Sequence, residues 1–63
     1  MKVYIEKDDK ELSMKATDAG RLLKKLGINP ETALIIKNNE LVTADEKLKE
    51  TDEIKIISVI SGG

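Results

Sequence analysis

The sequence contains neither cysteine nor histidine, and it has a single aromatic residue, Tyr4. Without cysteine the chain can form no disulfide, thiolate nucleophile or zinc–sulfur site. Without histidine it lacks the commonest general base and metal ligand. One aromatic ring offers almost no material for stacking against nucleic-acid bases. These absences argue against most of the catalytic and base-stacking chemistry that small domains use.

Long apolar runs and an excess of charge of one sign are also missing. No apolar stretch reaches the roughly 18 residues that a membrane-spanning helix requires. Eleven Lys and Arg residues against twelve Asp and Glu residues leave a net charge of −1, which supplies no basic footprint for nucleic acid. The opening stretch MKVYIEKDDKE has no apolar segment of the kind found in secretory signals. We therefore expect a soluble cytoplasmic protein that binds neither nucleic acid nor membranes.

The 63 residues are enough for one domain with a thin core. So small a domain has little room for an enclosed active site. Three acidic pairs lie at 8–9, 45–46 and 52–53, but none has the spacing of a calcium loop. We interpret them as solvated turns and expect no metal site and no permanently bound cofactor.

Two strands are predicted at the start of the chain. Val3 and Ile5 alternate with polar neighbours, and Leu12 and Met14 do the same after the polar turn KDDK at 7–10. Alternation with a period of two residues is typical of β-strands. The segment therefore predicts an opening β-hairpin.

A helix is predicted in ATDAGRLLKKLGI, residues 16–28. We expect Thr17 to be its N-cap and Gly27 to be the left-handed residue that ends it, with Ile28 folding back on Leu23. Gly20 weakens a helix interior, so we expect it to mark a close approach to the sheet. Four residues form one apolar stripe at helical spacing: Ala19, Leu22, Leu23 and Leu26.

The second half of the chain reads as three strands and a short helical segment. Residues 33–37 form an apolar, buried strand, and Asn38-Asn39 suits the tight turn that leads into the strand 40–42. Residues 43–46 have the form of a capping box, which predicts one or two helical turns anchored by Leu48. Residues 54–60 form the last and most strand-like segment.

This order predicts an α+β fold in which one main helix packs on one face of a mixed sheet of four to five strands. The first and last strands can lie side by side and parallel at the centre of the sheet. We identify this architecture as a β-grasp, or ubiquitin-like, domain over residues 1–60. Residues 61–63 follow it as a flexible Gly-Gly tail.

The strand order, the hairpin LIIKNNELV and the closing segment TDEIKIISVISGG together resemble the small ubiquitin-like sulfur carriers. That family includes the carriers of thiamine and molybdopterin synthesis, the ubiquitin-related modifier and the archaeal small modifiers. Asn39 and Glu53 stand where members often have glycine. The resemblance covers essentially the whole chain.

The resemblance implies a function for Gly62 and Gly63. A ubiquitin-activating-type adenylating enzyme would use ATP to join AMP to the carboxylate of Gly63. Sulfur would then replace AMP, giving a thiocarboxylate for thiamine, molybdopterin or tRNA thiolation through a sulfur-accepting synthase. Family members are co-substrates rather than enzymes, so no catalytic residue is expected in this chain, and we expect a monomer when it is free.

A partner surface is predicted on the face of the sheet that the helix leaves uncovered. In the last strand Ile57 and Val59 alternate with Ile56 and Ser58, so they should lie on that face, beside Tyr4 of the first strand. An exposed apolar cluster of this kind marks an interaction site. A local bulge that hides these residues in the core is the structural alternative.

Two other functions remain open on sequence grounds. Gly63 could instead be conjugated to lysines of target proteins, which would make the protein a modifier. The domain could also be a β-grasp binding module that works by surface contact alone. Gly62 and Gly63 at the close of the sequence favour the sulfur carrier and the modifier over the binding module.

Overall fold

A computed structural model describes residues 1–59, and the positions 60–63 lie outside the described part of the chain. The predicted Gly-Gly tail therefore lies outside it as well. The elements, in chain order, are β1 (Lys2–Ile5), a first 3₁₀ turn (Glu6–Asp8), β2 (Lys10–Ser13), α1 (Ala19–Leu26), a second 3₁₀ turn (Pro30–Thr32), β3 (Ala33–Lys37), β4 (Glu40–Val42) and β5 (Glu53–Ser58).

The five strands form one mixed sheet in the order β2-β1-β5-β3-β4. β1 and β5 run parallel beside each other, while the other neighbouring strands are antiparallel. α1 packs on one face of this sheet and shares a single core with it. The arrangement confirms the predicted β-grasp fold, including the parallel pairing of the first and last strands.

The core lies between α1 and the central strands. Val3 of β1, Ile56 of β5 and the helix residues Leu22 and Leu23 have no exposed surface. Each fully buried aliphatic side chain of this size contributes about 1.5–3 kcal/mol relative to an exposed one. The predicted apolar stripe of α1 therefore supplies much of the stability of the domain.

The two ends of α1 differ in how well the sequence predicts them. The N-cap is Asp18 and not Thr17, because the Asp18 carboxylate lies in reach of the Arg21 amide and accepts from it at 2.8 Å. The C-terminal prediction is confirmed: Gly27 has φ 72°, and the Ile28 amide donates to the Leu23 carbonyl at 2.9 Å. This is a Schellman motif, in which the left-handed residue lets the last carbonyls of the helix find partners.

Gly20 does mark a close approach, but to the loop after β4 and not to the sheet. Its amide donates to the Ala44 carbonyl at 2.6 Å, and a Cβ at position 20 would lie 3.1 Å from that oxygen. Any larger residue would therefore push the loop away from the helix.

The predicted helical turns at 43–46 are wrong. The carbonyls of Ala44 and Glu46 instead accept from the Gly20 and Ala19 amides at the start of α1. The Glu46 carboxylate bonds to Lys37 at 2.9 Å, so it does not complete a capping box with Thr43. Leu48 is buried, as expected of an anchor. Main-chain hydrogen bonds to α1 therefore outweigh the helical preference of residues 43–46.

The β3–β4 hairpin has the predicted turn. Asn38 and Asn39 both adopt positive φ, 49° and 70°, as a tight two-residue turn requires. Within residues 1–59, no helix is both long and apolar enough to cross a membrane.

Candidate functional site

The candidate site lies on the open face of the sheet, the face turned away from α1. Ile57 alternates with the buried Ile56, so it lies on the open face. Leu34 of β3 stands directly opposite Ile57 in the antiparallel register. Residues opposite each other across two strands share a face, which places Leu34 on the open face too.

One half of this face is apolar. We call it the open-face patch and define it by Leu34, Ile36, Leu41, Ile57 and Val59. Leu41 is 67% exposed, Val59 43% and Leu34 39%. Ile36 stands opposite Leu41, which joins the exposed edge of β4 to the centre of the face. Side chains of this size leave water only when another surface covers them, so the patch can act as a docking surface.

The sequence prediction missed the β3 and β4 members of the patch. The sequence predicts a buried strand over residues 33–37, but only Ala33 and Ile35 are buried, while Leu34 is exposed. A single helix covers only one face of the sheet. In a strand whose residues are apolar on both faces, the side chains on the other face are therefore left in solvent. Applying to β3 the alternation already applied to the last strand would have found Leu34 and Ile36.

The other half of the open face is polar and surrounds Tyr4. The Tyr4 hydroxyl donates to the Asp9 carboxylate at 2.8 Å, and this bond raises the pKa of Tyr4. The Lys55 ammonium lies 5.8 Å from the centre of the Tyr4 ring, within the range of a cation–π contact. Lys55 stands opposite both Tyr4 and Ile36, so it separates the ring from the apolar half.

The structure thus places the three predicted patch residues in two groups. Ile57 and Val59 lie at the apolar end, whereas Tyr4 lies on the polar half with its hydroxyl and ring already engaged. The role of these residues in partner binding stays a prediction.

The described part of the chain ends beside the apolar half of the open face. Val59, the last described residue, donates its amide to the Thr32 carbonyl at 2.8 Å. Its main chain is therefore held against the second 3₁₀ turn. The predicted functional residues Gly62 and Gly63 follow this point and lie outside the described residues.

A polar cluster around Asp52 lies apart from the open-face patch. Asp52 is 6% exposed, accepts from the Lys49 amide at 2.7 Å and from the Asn38 side chain at 3.0 Å, and lies 3.9 Å from the Lys37 ammonium. These donors, first the Lys49 amide, lower the pKa of Asp52. Both carboxylate oxygens of Asp52 thus accept a hydrogen bond. The bond from Asn38 links the β3–β4 turn to the residue that precedes β5.

Acidic residues do not converge on a metal site in the described part of the chain. No group of three or more carboxylates lies close enough together there to hold an ion. Asp52 and Glu46, from two of the three acidic pairs, are engaged instead with an amide, an asparagine side chain and a lysine of the same chain.

Comparison with known proteins agrees with the fold. The model of the ThiS family matches residues 2–63, which is nearly the whole sequence and includes both closing glycines. The chain belongs to the ThiS family. This confirms the resemblance to ubiquitin-like sulfur carriers.

Two curated relatives support the assignment to the ThiS family. The sulfur carrier protein TtuB of Thermus thermophilus is 38% identical over 55 residues, covering 86% of this chain and 85% of the relative. An uncharacterized protein of Archaeoglobus fulgidus is 37% identical over 62 residues, covering 95% and 91%. The similarity in each case spans most of both chains.

Proposed function

We propose that this protein is a sulfur carrier whose Gly63 carboxylate is adenylated and then converted to a thiocarboxylate. The observation that carries the proposal is the family match over residues 2–63, which includes Gly62 and Gly63. The likeness to a relative named as a sulfur carrier supports the same conclusion. The sulfur would serve thiamine, molybdopterin or tRNA thiolation through a sulfur-accepting synthase.

The chemistry explains why activation must come first. A carboxylate is a poor acylating agent because oxide is a poor leaving group. An oxygen of the Gly63 carboxylate attacks the α-phosphorus of ATP and displaces pyrophosphate, giving an acyl adenylate. Hydrosulfide then attacks the acyl carbon, AMP leaves with the carboxylate oxygen, and loss of the proton on sulfur leaves the thiocarboxylate. The carrier contributes the acyl group, and the activating enzyme contributes the catalysis.

Glycine suits the end of such a carrier. A site that adenylates a main-chain carboxylate must admit the backbone closely, and a side chain would obstruct it. Gly62 and Gly63 present no side chain and can adopt any φ that the site requires. Three residues can span at most about 10 Å, so a chain of that length can carry its carboxylate well away from a folded domain.

The open-face patch supplies the docking surface for the activating enzyme in this proposal. Leu34, Leu41 and Val59 are all at least 39% exposed, and Val59 lies on the path that leads to Gly63. A few side chains that become fully desolvated at the centre of an interface carry most of its binding energy. A partner that covers the patch would lie beside the exit of the chain, where the carboxylate must be received.

Deletion of Gly63 tests the proposal. The variant should lose ATP-dependent pyrophosphate exchange with the adenylating enzyme of the source organism. Its melting temperature should stay unchanged, because residues 1–59 contain the whole described core. A Lys24→Ser variant, changed at an exposed position of α1, is the matched control and should be adenylated normally. Retained adenylation without Gly63 would contradict the assignment.

A further inference from the structure

The last described main-chain contact after β5 joins Val59 to the residue before β3. Ala33 stands opposite Ser58, so the next opposing pair is Thr32 and Val59. In a regular antiparallel ladder this pair would exchange two main-chain hydrogen bonds. One of them is present, since the Val59 amide donates to the Thr32 carbonyl at 2.8 Å.

The second bond of that pair would use the Thr32 amide, but this amide bonds to Asn29. The Thr32 amide donates instead to the Asn29 carbonyl at 3.0 Å, and the Thr32 hydroxyl donates to the same carbonyl at 3.0 Å. Asn29 also caps the turn with its side chain, whose Oδ1 accepts from the Glu31 amide at 2.9 Å. Asn29 therefore holds both ends of the second 3₁₀ turn.

The residues before Thr32 offer no further donor to β5. Pro30 occupies the next hydrogen-bonding position and has no N–H, while the Glu31 amide is used by the Asn29 cap. On the other side of β5, the last register partner of β1 is Ile56, after which the first 3₁₀ turn leads β1 away. Within residues 1–59, the Thr32 carbonyl is thus the last main-chain anchor that the second 3₁₀ turn provides to the chain after β5.

We propose that Asn29 is a positioning residue for the activation of Gly63. By capping the Pro30–Thr32 turn, Asn29 fixes the carbonyl that anchors Val59, and so it sets the point from which the segment that carries the Gly63 carboxylate starts. This inference rests on the proposed sulfur-carrier function. It gives the second 3₁₀ turn a role that differs from the role of the open-face patch. The patch binds the activating enzyme, whereas the turn positions the segment that carries the Gly63 carboxylate.

Two variants of Asn29 separate positioning from folding. Asn29→Ala removes the side-chain acceptor of the cap, whereas Asn29→Asp keeps an acceptor oxygen in the same place. Gly27→Ala, which forces alanine into φ 72° at the other end of the preceding segment, is the control for a general loss of stability. All three are made in the full 63-residue chain.

The first measurement is amide hydrogen exchange of Val59 by NMR, which needs no partner. Wild type, Asn29→Asp and Gly27→Ala should all protect the Val59 amide relative to a free peptide. Asn29→Ala should lose about fivefold of that protection, which corresponds to a net loss of about 1 kcal/mol, the usual contribution of one hydrogen bond. Equal protection in Asn29→Ala and wild type would overturn the proposal.

The second measurement is steady-state adenylation with the adenylating enzyme of the source organism, ATP and labelled pyrophosphate. Asn29→Ala should lower kcat about tenfold with little change in KM for the carrier, since displacement of a reacting group costs turnover rather than docking. Asn29→Asp should restore kcat. An unchanged kcat, or a rise in KM alone, would overturn the proposal while leaving the function of Gly63 intact.

Failure of the proposed function gives a different pattern. If wild type is not adenylated, or if it is still adenylated after deletion of Gly63, the sulfur-carrier proposal fails. The positioning role of Asn29 then fails with it, whatever the exchange of Val59 shows.

Discussion

The two faces of the sheet have opposite characters although the same strands build both. On the covered face, Val3 and Ile56 have no exposed surface. On the open face Leu34 and Leu41 are 39% and 67% exposed, and no described element of the chain covers them. Neighbouring residues of β5, Ile56 and Ile57, therefore serve different purposes. The covered face holds the fold together, and in our proposal the open face is the surface that the activating enzyme contacts.

Truncation of the covered face should have the largest effect. Ile56→Ala removes a fully buried side chain from the strand at the centre of the sheet, and such changes typically cost about 2–5 kcal/mol in the free energy of unfolding. Domains of this kind have a total stability of about 5–15 kcal/mol, so the loss is a large share. Urea unfolding followed by circular dichroism measures it. A loss below about 0.5 kcal/mol would contradict the assignment of Ile56 to the core.

Truncation of the open face should affect binding more than stability. Replacing Ile57 and Val59 together with serine should weaken binding to the activating enzyme by about 2–3 kcal/mol, the range of central interface residues. Leu41→Ser should act in the same direction with a stability change within about 0.5 kcal/mol, because Leu41 is mostly exposed. Isothermal titration calorimetry measures the affinity, with Lys24→Ser as the control.

The opposite result would break the distinction between the faces. If the double variant at 57 and 59 unfolds at room temperature, these residues belong to the core. If it stays folded and binds the activating enzyme with wild-type affinity, the open-face patch is not the docking surface.

A change far from both faces should lower stability alone. Gly27→Ala places a Cβ at φ 72°, where the left-handed conformation costs about 1–2 kcal/mol, although no neighbour lies close enough to clash. Adenylation of Gly63 should proceed as in wild type once the protein is assayed well below its melting temperature. A fall in kcat without a fall in melting temperature would show that the helix end takes part in activation.

The pH dependence of the free energy of unfolding tests the structural role of Asp52. Its pKa is lowered in the folded protein by the Lys49 amide and the Asn38 side chain. The stability it contributes is therefore present above its unfolded pKa and is lost as the pH falls through the folded value. Asp52→Asn should be less stable than wild type at neutral pH, and the gap should close in acid.

Thermal unfolding between neutral and strongly acidic pH measures this gap. The Asp8→Asn variant, changed at an exposed position, controls for the loss of one negative charge. A gap between wild type and Asp52→Asn that stays constant across the acid range would show that ionised Asp52 is not held by its neighbours.

Local patterns were sufficient to predict most of the fold. Period-two alternation found β1 and β2, the apolar run at 33–37 found β3, and Gly27 correctly marked the end of α1 with its Schellman contact. Asn38-Asn39 predicted the turn because both residues tolerate positive φ. In each of these cases the residues that decide the structure are neighbours in sequence.

The errors occur where distant segments compete for the same groups. Residues 43–46 have a helical signal, but their carbonyls are taken by the Ala19 and Gly20 amides of α1. The open-face members Leu34 and Leu41 were missed because β3 was interpreted as buried on both sides, although a single helix covers only one face of the sheet. The anchoring of Val59 by Thr32 depends on a register across two strands, and no local pattern encodes it.

The most direct test of the account is intact mass spectrometry of the protein purified from its native host. The account predicts a fraction whose mass exceeds that of the unmodified chain by the difference between one sulfur and one oxygen atom, located at Gly63 after fragmentation. A population in which Gly63 carries only an unmodified carboxylate, or is found only as a branched remnant on lysines of other proteins, would contradict it.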